Sequence, residues 1–334
     1  MSKRTDNTDD AGGAFDALDA GDAGRARTAA GDAAGAGDAD DAARGRGDSL
    51  SIAQALAEAT AVLRSGGVED SRREAGTLLA DLLRRDRAHL IAHSDDALAP
   101  RALASFRGRA ARRASGEPAQ YITGRQEFYR LDFEVTPAVL IPRPETELLV
   151  ETALEILRDE AAPLVCDVGT GSGCVVVSLL HERADARGVA LDISAGALAV
   201  AARNAARHGV SDRLELVASD CFDALAPPSE KFSLVVSNPP YVAEADIAGL
   251  QREVREHEPR VALTPGGDGL SVIRRLLADA PRHLRPRGRL VFEIGFGQHE
   301  AVRELVADAR AWTTLGVRPD LQGIPRAVAL RLND

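Results

Sequence analysis

Cysteine is scarce. The three thiols, Cys166, Cys174 and Cys221, are too few and too irregularly spaced for a disulfide framework or a zinc site. They read as reduced thiols of a cytoplasmic protein, and no metal is expected. Long apolar runs are missing too: none approaches the ~18–20 residues of a membrane span, and the N-terminus has no apolar signal core. Nor is there an excess of positive charge. The formal net charge is −10, which argues against a broad grip on nucleic acid.

The 334 residues suffice for two domains, and 45% hydrophobic residues allow a sizeable core. Charge is distributed unevenly. Residues 1–48 hold 11 Asp, no Glu and 6 Lys+Arg, whereas residues 49–125 hold 12 Arg against 9 Asp+Glu. The first segment is mostly Ala, Gly, Asp, Thr and Arg, with too few large apolar side chains to offset the entropy of ordering, and reads as a disordered tail. Residues 49–125 read as a small helical domain. One helix opens at Ser49–Ser51 and ends at Gly66-Gly67. A second carries Ala75, Leu78, Leu79, Leu82 and Leu83 inward. A third starts near Pro100, with Arg101, Arg107, Arg109, Arg112 and Arg113 on its outer face. Each arginine singly reads as solvated; together they leave room for a surface that docks a protein partner.

Phe128, Tyr129, Leu131, Phe133 and Val135 alternate with period 2, which predicts a β-hairpin in a connecting segment over 126–141. Pro142-Arg143-Pro144-Glu145-Thr146-Glu147 is stiffened by its prolines, and Glu145 or Thr146 can open the helix that follows. From residue 164 strands and helices alternate. The expected fold is a doubly wound, mostly parallel, seven-stranded α/β sheet over 142–334, Rossmann-like, with the helical domain before it.

Two stretches carry the chemistry. Asp167-Val168-Gly169-Thr170-Gly171-Ser172-Gly173 lies where the first strand turns into a helix. Dinucleotide-binding enzymes place G-x-G-x-x-G there to hold a pyrophosphate. Here the spacing is G-x-G-x-G, preceded by an acid that would repel a pyrophosphate but can hold an ammonium group. Asp192 ends the second strand, 19 residues after Gly173, placed to accept from two ribose hydroxyls. A nucleoside with an amino-acid tail and no phosphate fits, which is S-adenosylmethionine; NAD is the alternative. The second stretch, Asn238-Pro239-Pro240-Tyr241, follows the apolar strand Phe232–Val236. Two prolines cannot continue a sheet, so the chain stops at a stiff corner. By itself that is a proline turn with an Asn cap. Facing the first stretch across one crevice, it offers a side-chain amide, a free carbonyl and an aromatic face to a planar –NH2 group.

The chain resembles the class I methyltransferases that act on planar nitrogen. Within them it is similar to the HemK-type peptide chain release factor glutamine methyltransferases, over about residues 50–334. Specific marks are Glu117-Pro118-Ala119-Gln120-Tyr121-Ile122-Thr123-Gly124, Val139 through Glu147, Glu258-Pro259-Arg260-Val261-Ala262-Leu263, and Gly267-Asp268-Gly269-Leu270. Enzymes that modify a ribosomal-protein glutamine share the Asn-Pro-Pro-Tyr but are less alike at Arg143–Thr146. The resemblance implies methyl transfer from S-adenosylmethionine to the glutamine of a Gly-Gly-Gln loop in release factors. The cofactor would meet Asp167, Gly169, Thr170, Gly171, Ser172, Gly173, Asp192, Asp220, Cys221, Phe222 and Asn238. The substrate would meet Asn238, Pro239, Pro240, Tyr241, Arg143 and Glu145, with Asn238, Pro239 and Tyr241 as the catalytic residues, and Glu117 and Arg143 would support the site or an interface. After Asp220 the family pattern has Trp-Phe; Cys221-Phe222 departs from it, and Cys221 offers less surface. Methylation of an exocyclic DNA amine and a non-catalytic S-adenosylmethionine-binding module are the rival functions. No separate basic domain serves the first, and the intact Asn-Pro-Pro-Tyr argues against the second. The histidines form no cluster; His257 and Trp312 read as packing or surface residues.

Overall fold

The structure is a computed structural model that describes residues 49–225 and 231–334. The expected disordered tail lies outside the described residues. The helical part comprises α1 (Ile52–Ser65), α2 (Ser71–Leu83), α3 (Arg87–Ala92), α4 (Pro100–Ala114) and α5 (Ala119–Thr123). A capping box sets the start of α1: the Ser51 hydroxyl accepts from the Gln54 N–H, and the Gln54 side chain accepts from the Ser51 N–H. Its end is fixed by packing, because a side chain on Gly66 would collide with the Ala114 backbone that closes α4. Leu63, Leu78, Leu79, Leu103 and Phe106 form the core of this part.

The arginine face of α4 differs from expectation. Arg107 pairs with Glu58, Arg109 with Asp81 and Arg112 with Glu117. Arg113 is not on the outside at all. It is buried and bridges Glu74 on α2 and Glu253, which lies beyond the Asn-Pro-Pro-Tyr corner. The last turn of α4 is packed under the second domain, so its inward arginine is matched by carboxylates from both sides.

β1 (Arg125–Phe128) and β2 (Leu131–Glu134) form the antiparallel hairpin, closed by Tyr129 and Arg130, both at positive φ. It is more than a connection. Phe128 and Phe133 are buried in the core of the following domain, and Asn204 ties the Glu134 backbone to the carbonyl of Ser172 in the glycine loop. A short 3-10 turn over Pro144–Thr146 then leads into α6 (Glu147–Ile156).

The remaining elements follow the expected alternation: β3 (Leu164–Val168), α7 (Cys174–Glu182), β4 (Arg187–Asp192), α8 (Ala195–Arg207), β5 (Leu214–Ala218), β6 (Phe232–Ser237), α9 (Arg252–His257), α10 (Arg260–Leu263), α11 (Ser271–His283), β7 (Leu284–Glu293), α12 (His299–Ala309), β8 (Trp312–Pro319) and β9 (Pro325–Leu332). Of these, α9 and α10 are short helices that the sequence did not predict. They build a seven-stranded sheet in the order β5-β4-β3-β6-β7-β9-β8. The first five strands are parallel, and β9 runs antiparallel to both neighbours. Alternate residues feed two cores. Val291 joins α6 and α7 on one face, while Leu290 and Phe292 join α11 and α12 on the other. Trp312 is a packing residue, its indole N–H donating to the Leu277 carbonyl at 3.0 Å.

Candidate active site

From β3 the chain steps outward through β4 to β5, then returns to β6 on the other side of β3. That reversal opens a crevice at the carboxyl ends of β3 and β6. Asp167 pairs with Val236 in the ladder, so the acid before the glycine loop and the Asn-Pro-Pro-Tyr corner leave the sheet side by side. The Ser237 hydroxyl pins them together by donating to the Val168 carbonyl at 2.7 Å. A cleft of about 450 Å³ lies above these ends.

One wall is the glycine loop. Gly169, Gly171 and Gly173 all take positive φ, which favours glycine. Gly169, Thr170, Gly171 and Ser172 line the cleft. Gly173 does not; it packs against Ala201 of α8. Asp192 fixes the loop, one carboxylate oxygen accepting the Gly171 N–H and the other the Ser194 N–H, each at 2.8 Å. A carboxylate has about four acceptor positions, so both oxygens retain capacity toward the cleft. Burial raises the Asp192 pKa. Asp167 lies deeper, accepting from the Thr170 hydroxyl at 2.7 Å, and burial pushes its carboxyl up to about 7.

At the end of β5, Asp220 and Cys221 line the cleft. Arg275 of α11 holds the Asp220 carboxylate at 2.6 Å. Cys221 is at positive φ, and burial raises its thiol to about 11. Phe222 turns the other way, into the core, where its ring stacks on His283 at 4.8 Å; it is not part of the cleft wall.

At the end of β6, Asn238, Pro239 and Pro240 line the cleft. The Asn238 amide nitrogen donates to the Thr146 hydroxyl oxygen at 3.0 Å. The Asn238 side-chain oxygen and the Pro239 carbonyl accept no hydrogen bond from any described residue. Tyr241 stands behind the corner rather than in the cleft wall. Its hydroxyl donates to Glu293 at 3.1 Å, its carbonyl accepts from Gln298 at 2.8 Å, and its ring lies so close to Gly295 that a Cβ there would clash. Burial, then the neighbouring Glu293, raises the Tyr241 pKa.

Arg143 and Glu145 lie outside the cleft wall. Arg143 donates to Glu258 at 2.5 Å, and the other Glu258 oxygen accepts the Ile141 N–H at 3.1 Å, so this pair ties the Pro-rich segment to the loop beyond Tyr241. Glu145 is half-buried in the 3-10 turn. Glu117 pairs with Arg112 on the helical side. Sequence reasoning assigned no site role to Thr146, Glu293 or Gln298. Glu293 carries a readable signal all the same: like Asp167 and Asp192, it is an acid at the carboxyl end of a buried strand.

Two family models match the chain: one described as PrmC N-terminal domain over residues 54–124, and one described as Methyltransferase small domain over residues 144–272. The release factor glutamine methyltransferase of Cereibacter sphaeroides is 46% identical over 84% of this chain and 98% of its own length. That of Koribacter versatilis is 42% identical over 84% of this chain and 99% of its own. A solved release factor-specific protein-(glutamine-N5) methyltransferase from Alicyclobacillus acidocaldarius is 30% identical, with a TM-score of 0.37, over 60% of this chain and 100% of that one. Aligned along nearly the full length of the Cereibacter and Koribacter enzymes, the chain belongs to the release factor glutamine methyltransferase family.

Proposed function

We propose that the protein methylates the side-chain amide nitrogen (N5) of the glutamine in the Gly-Gly-Gln loop of peptide chain release factors, drawing the methyl group from S-adenosylmethionine. The observation that carries this reading is the pair of free acceptors, the Asn238 side-chain oxygen and the Pro239 carbonyl, on two residues that line the cleft in a chain of this family. A planar –NH2 group has two hydrogens to give to two acceptors.

The cleft residues suit the cofactor. Asp192 keeps acceptor capacity for ribose hydroxyls, the Gly169–Ser172 backbone allows close approach, and Asp167 supplies a buried carboxyl for an ammonium group. When bound, S-adenosylmethionine supplies an electrophilic methyl on a sulfonium. The protein's own part is positioning. Asn238 and Pro239 accept the two N–H bonds of the glutamine, fix the amide plane, and favour the positive charge that develops on its nitrogen. Tyr241 braces the corner from behind, through Glu293 and Gln298. Arg143, paired with Glu258, holds the segment that carries Thr146 against this corner. The helical domain serves as the docking part for the rest of the release factor, and the substrate implies work in the cytoplasm.

Mass spectrometry of a release factor from cells with and without the gene tests the reading. The glutamine is expected to carry its methyl only when the gene is present. Equal methylation in both rejects it. Purified protein offered labelled cofactor, a release factor and duplex DNA is expected to label the release factor alone.

A further inference from the structure

Asn238 acts, in the function proposed above, through a single atom, its side-chain oxygen. An asparagine amide can sit either way round in its site, and only its hydrogen-bond partners decide which. We propose that Thr146 and Glu293 are positioning residues that hold the Asn238 amide with its nitrogen inward and its oxygen toward the substrate.

The argument follows one hydrogen. Glu293, at the end of β7, is 2% exposed, and its Oε2 accepts from the Thr146 hydroxyl at 2.7 Å. Burial raises the Glu293 pKa, but the ionised carboxylate, which accepts from both Thr146 and Tyr241, takes the one hydrogen the Thr146 hydroxyl has. What Thr146 then presents to Asn238 is a lone pair, which only a donor can meet. The Asn238 Nδ2 meets it at 3.0 Å. Turning the amide round would set two acceptor oxygens against each other beside Thr146, which is 1% exposed. The relay thus leaves the Asn238 oxygen no place except the open side.

Two further facts mark the contact as specific. Thr146 closes the 3-10 turn in helical backbone conformation, so its hydroxyl caps no helix and is available to Asn238 and Glu293. Asn238 precedes a proline, where asparagine usually closes its own turn, yet its amide reaches a residue 92 positions away. Glu293 also accepts from Tyr241 through its other oxygen, so one carboxylate orients both ends of the corner.

The test compares Thr146→Val, which removes the hydroxyl while keeping the shape, with Thr146→Ser, which keeps the hydroxyl. Methyl transfer to a release factor by the valine variant is expected to lose about tenfold or more in kcat, with KM and cofactor Kd within about twofold of wild type. Serine is expected to keep kcat within about threefold. Full kcat in the valine variant overturns the proposal, as does a serine variant that falls as far as valine. A second measurement needs neither turnover nor the valine variant's folding. Hydrogen exchange of the Asn238 side-chain amide, followed by 15N NMR in wild type and Thr146→Ser, is expected to be slowed relative to exposed asparagines. Free exchange in the wild type overturns the relay. Wild-type protein that transfers no methyl to a release factor would sink the functional reading instead, and the NMR comparison would still judge the relay.

Discussion

At the scale of single residues, the two acids of the cleft lead to different expectations. Asp192 has two tasks: its oxygens hold the Gly171 and Ser194 N–H groups and, in the proposed function, the ribose. Asp192→Ala is therefore expected to weaken S-adenosylmethionine binding by roughly ten- to a hundredfold, the worth of charge-assisted hydrogen bonds, in a protein that still folds. Calorimetry that gives an unchanged affinity rejects the ribose role. Asp167 is a matter of protons. Burial raises its carboxyl to about 7, so below that pH the free protein holds it neutral. An ammonium group favours the ionised form, so cofactor affinity is expected to rise as pH climbs through 7 and to level off above. Below pH 7 binding releases a proton, which calorimetry in two buffers of different ionisation enthalpy detects. The same shift sets a stability trend: whatever the neutral acid contributes is fully present below about pH 4, and is lost as pH rises through 7. Binding at pH 6 with no proton release would count against Asp167 as the ammonium partner.

At the scale of elements, what could be read in the chain was what is contiguous in it. The start and end of α1 show in Ser51 and Gly66, and β6 in its apolar run. Both halves of the cleft are unbroken stretches, the glycine loop and the Asn-Pro-Pro-Tyr corner, so each announced itself. Short helices did not: α3 has six residues and α5 five, too few to display a 3.6-residue period. β7 begins at Leu284, ahead of the apolar run at Leu290–Ile294, because its first six residues carry Pro286 and three arginines that hide a strand pattern. The relay of Thr146, Asn238 and Glu293 was illegible for a different reason. Its members come from a turn and the ends of two strands, and only the sheet brings them together. Arg113 belongs to the same class. Its helix suggested an outward arginine, but its two partners lie on α2 and α9. Arg113→Ala leaves two carboxylates facing each other without their cation. Unfolding free energy is expected to fall by roughly 3 kcal/mol, the low end for a buried pair, because the Glu253 side chain is 34% exposed. A denaturant midpoint equal to that of the wild type would show the bridge to be dispensable.

At the scale of the whole molecule, every residue lining the cleft comes after residue 137, and the helical part precedes it; docking of the release factor there belongs to the proposed function. Removal of residues 1–48 is expected to leave activity and melting temperature nearly unchanged, since the segment has almost no large apolar side chains to add to a core. A large loss of either would give the tail a role. The arginines of α4 are a weaker docking charge than their number suggests, because Arg107, Arg109, Arg112 and Arg113 are each matched by a carboxylate. The bridge at Arg113 also bears on how such a protein can evolve. Positions 74, 113 and 253 share one charge balance, so across relatives they are expected to change together or not at all. A chimera that borrows a foreign helical domain inherits the first two without the third, and its halves would meet with mismatched charge. For natural selection, then, this bridge ties the helical part and the part bearing the cleft together as one inherited pair.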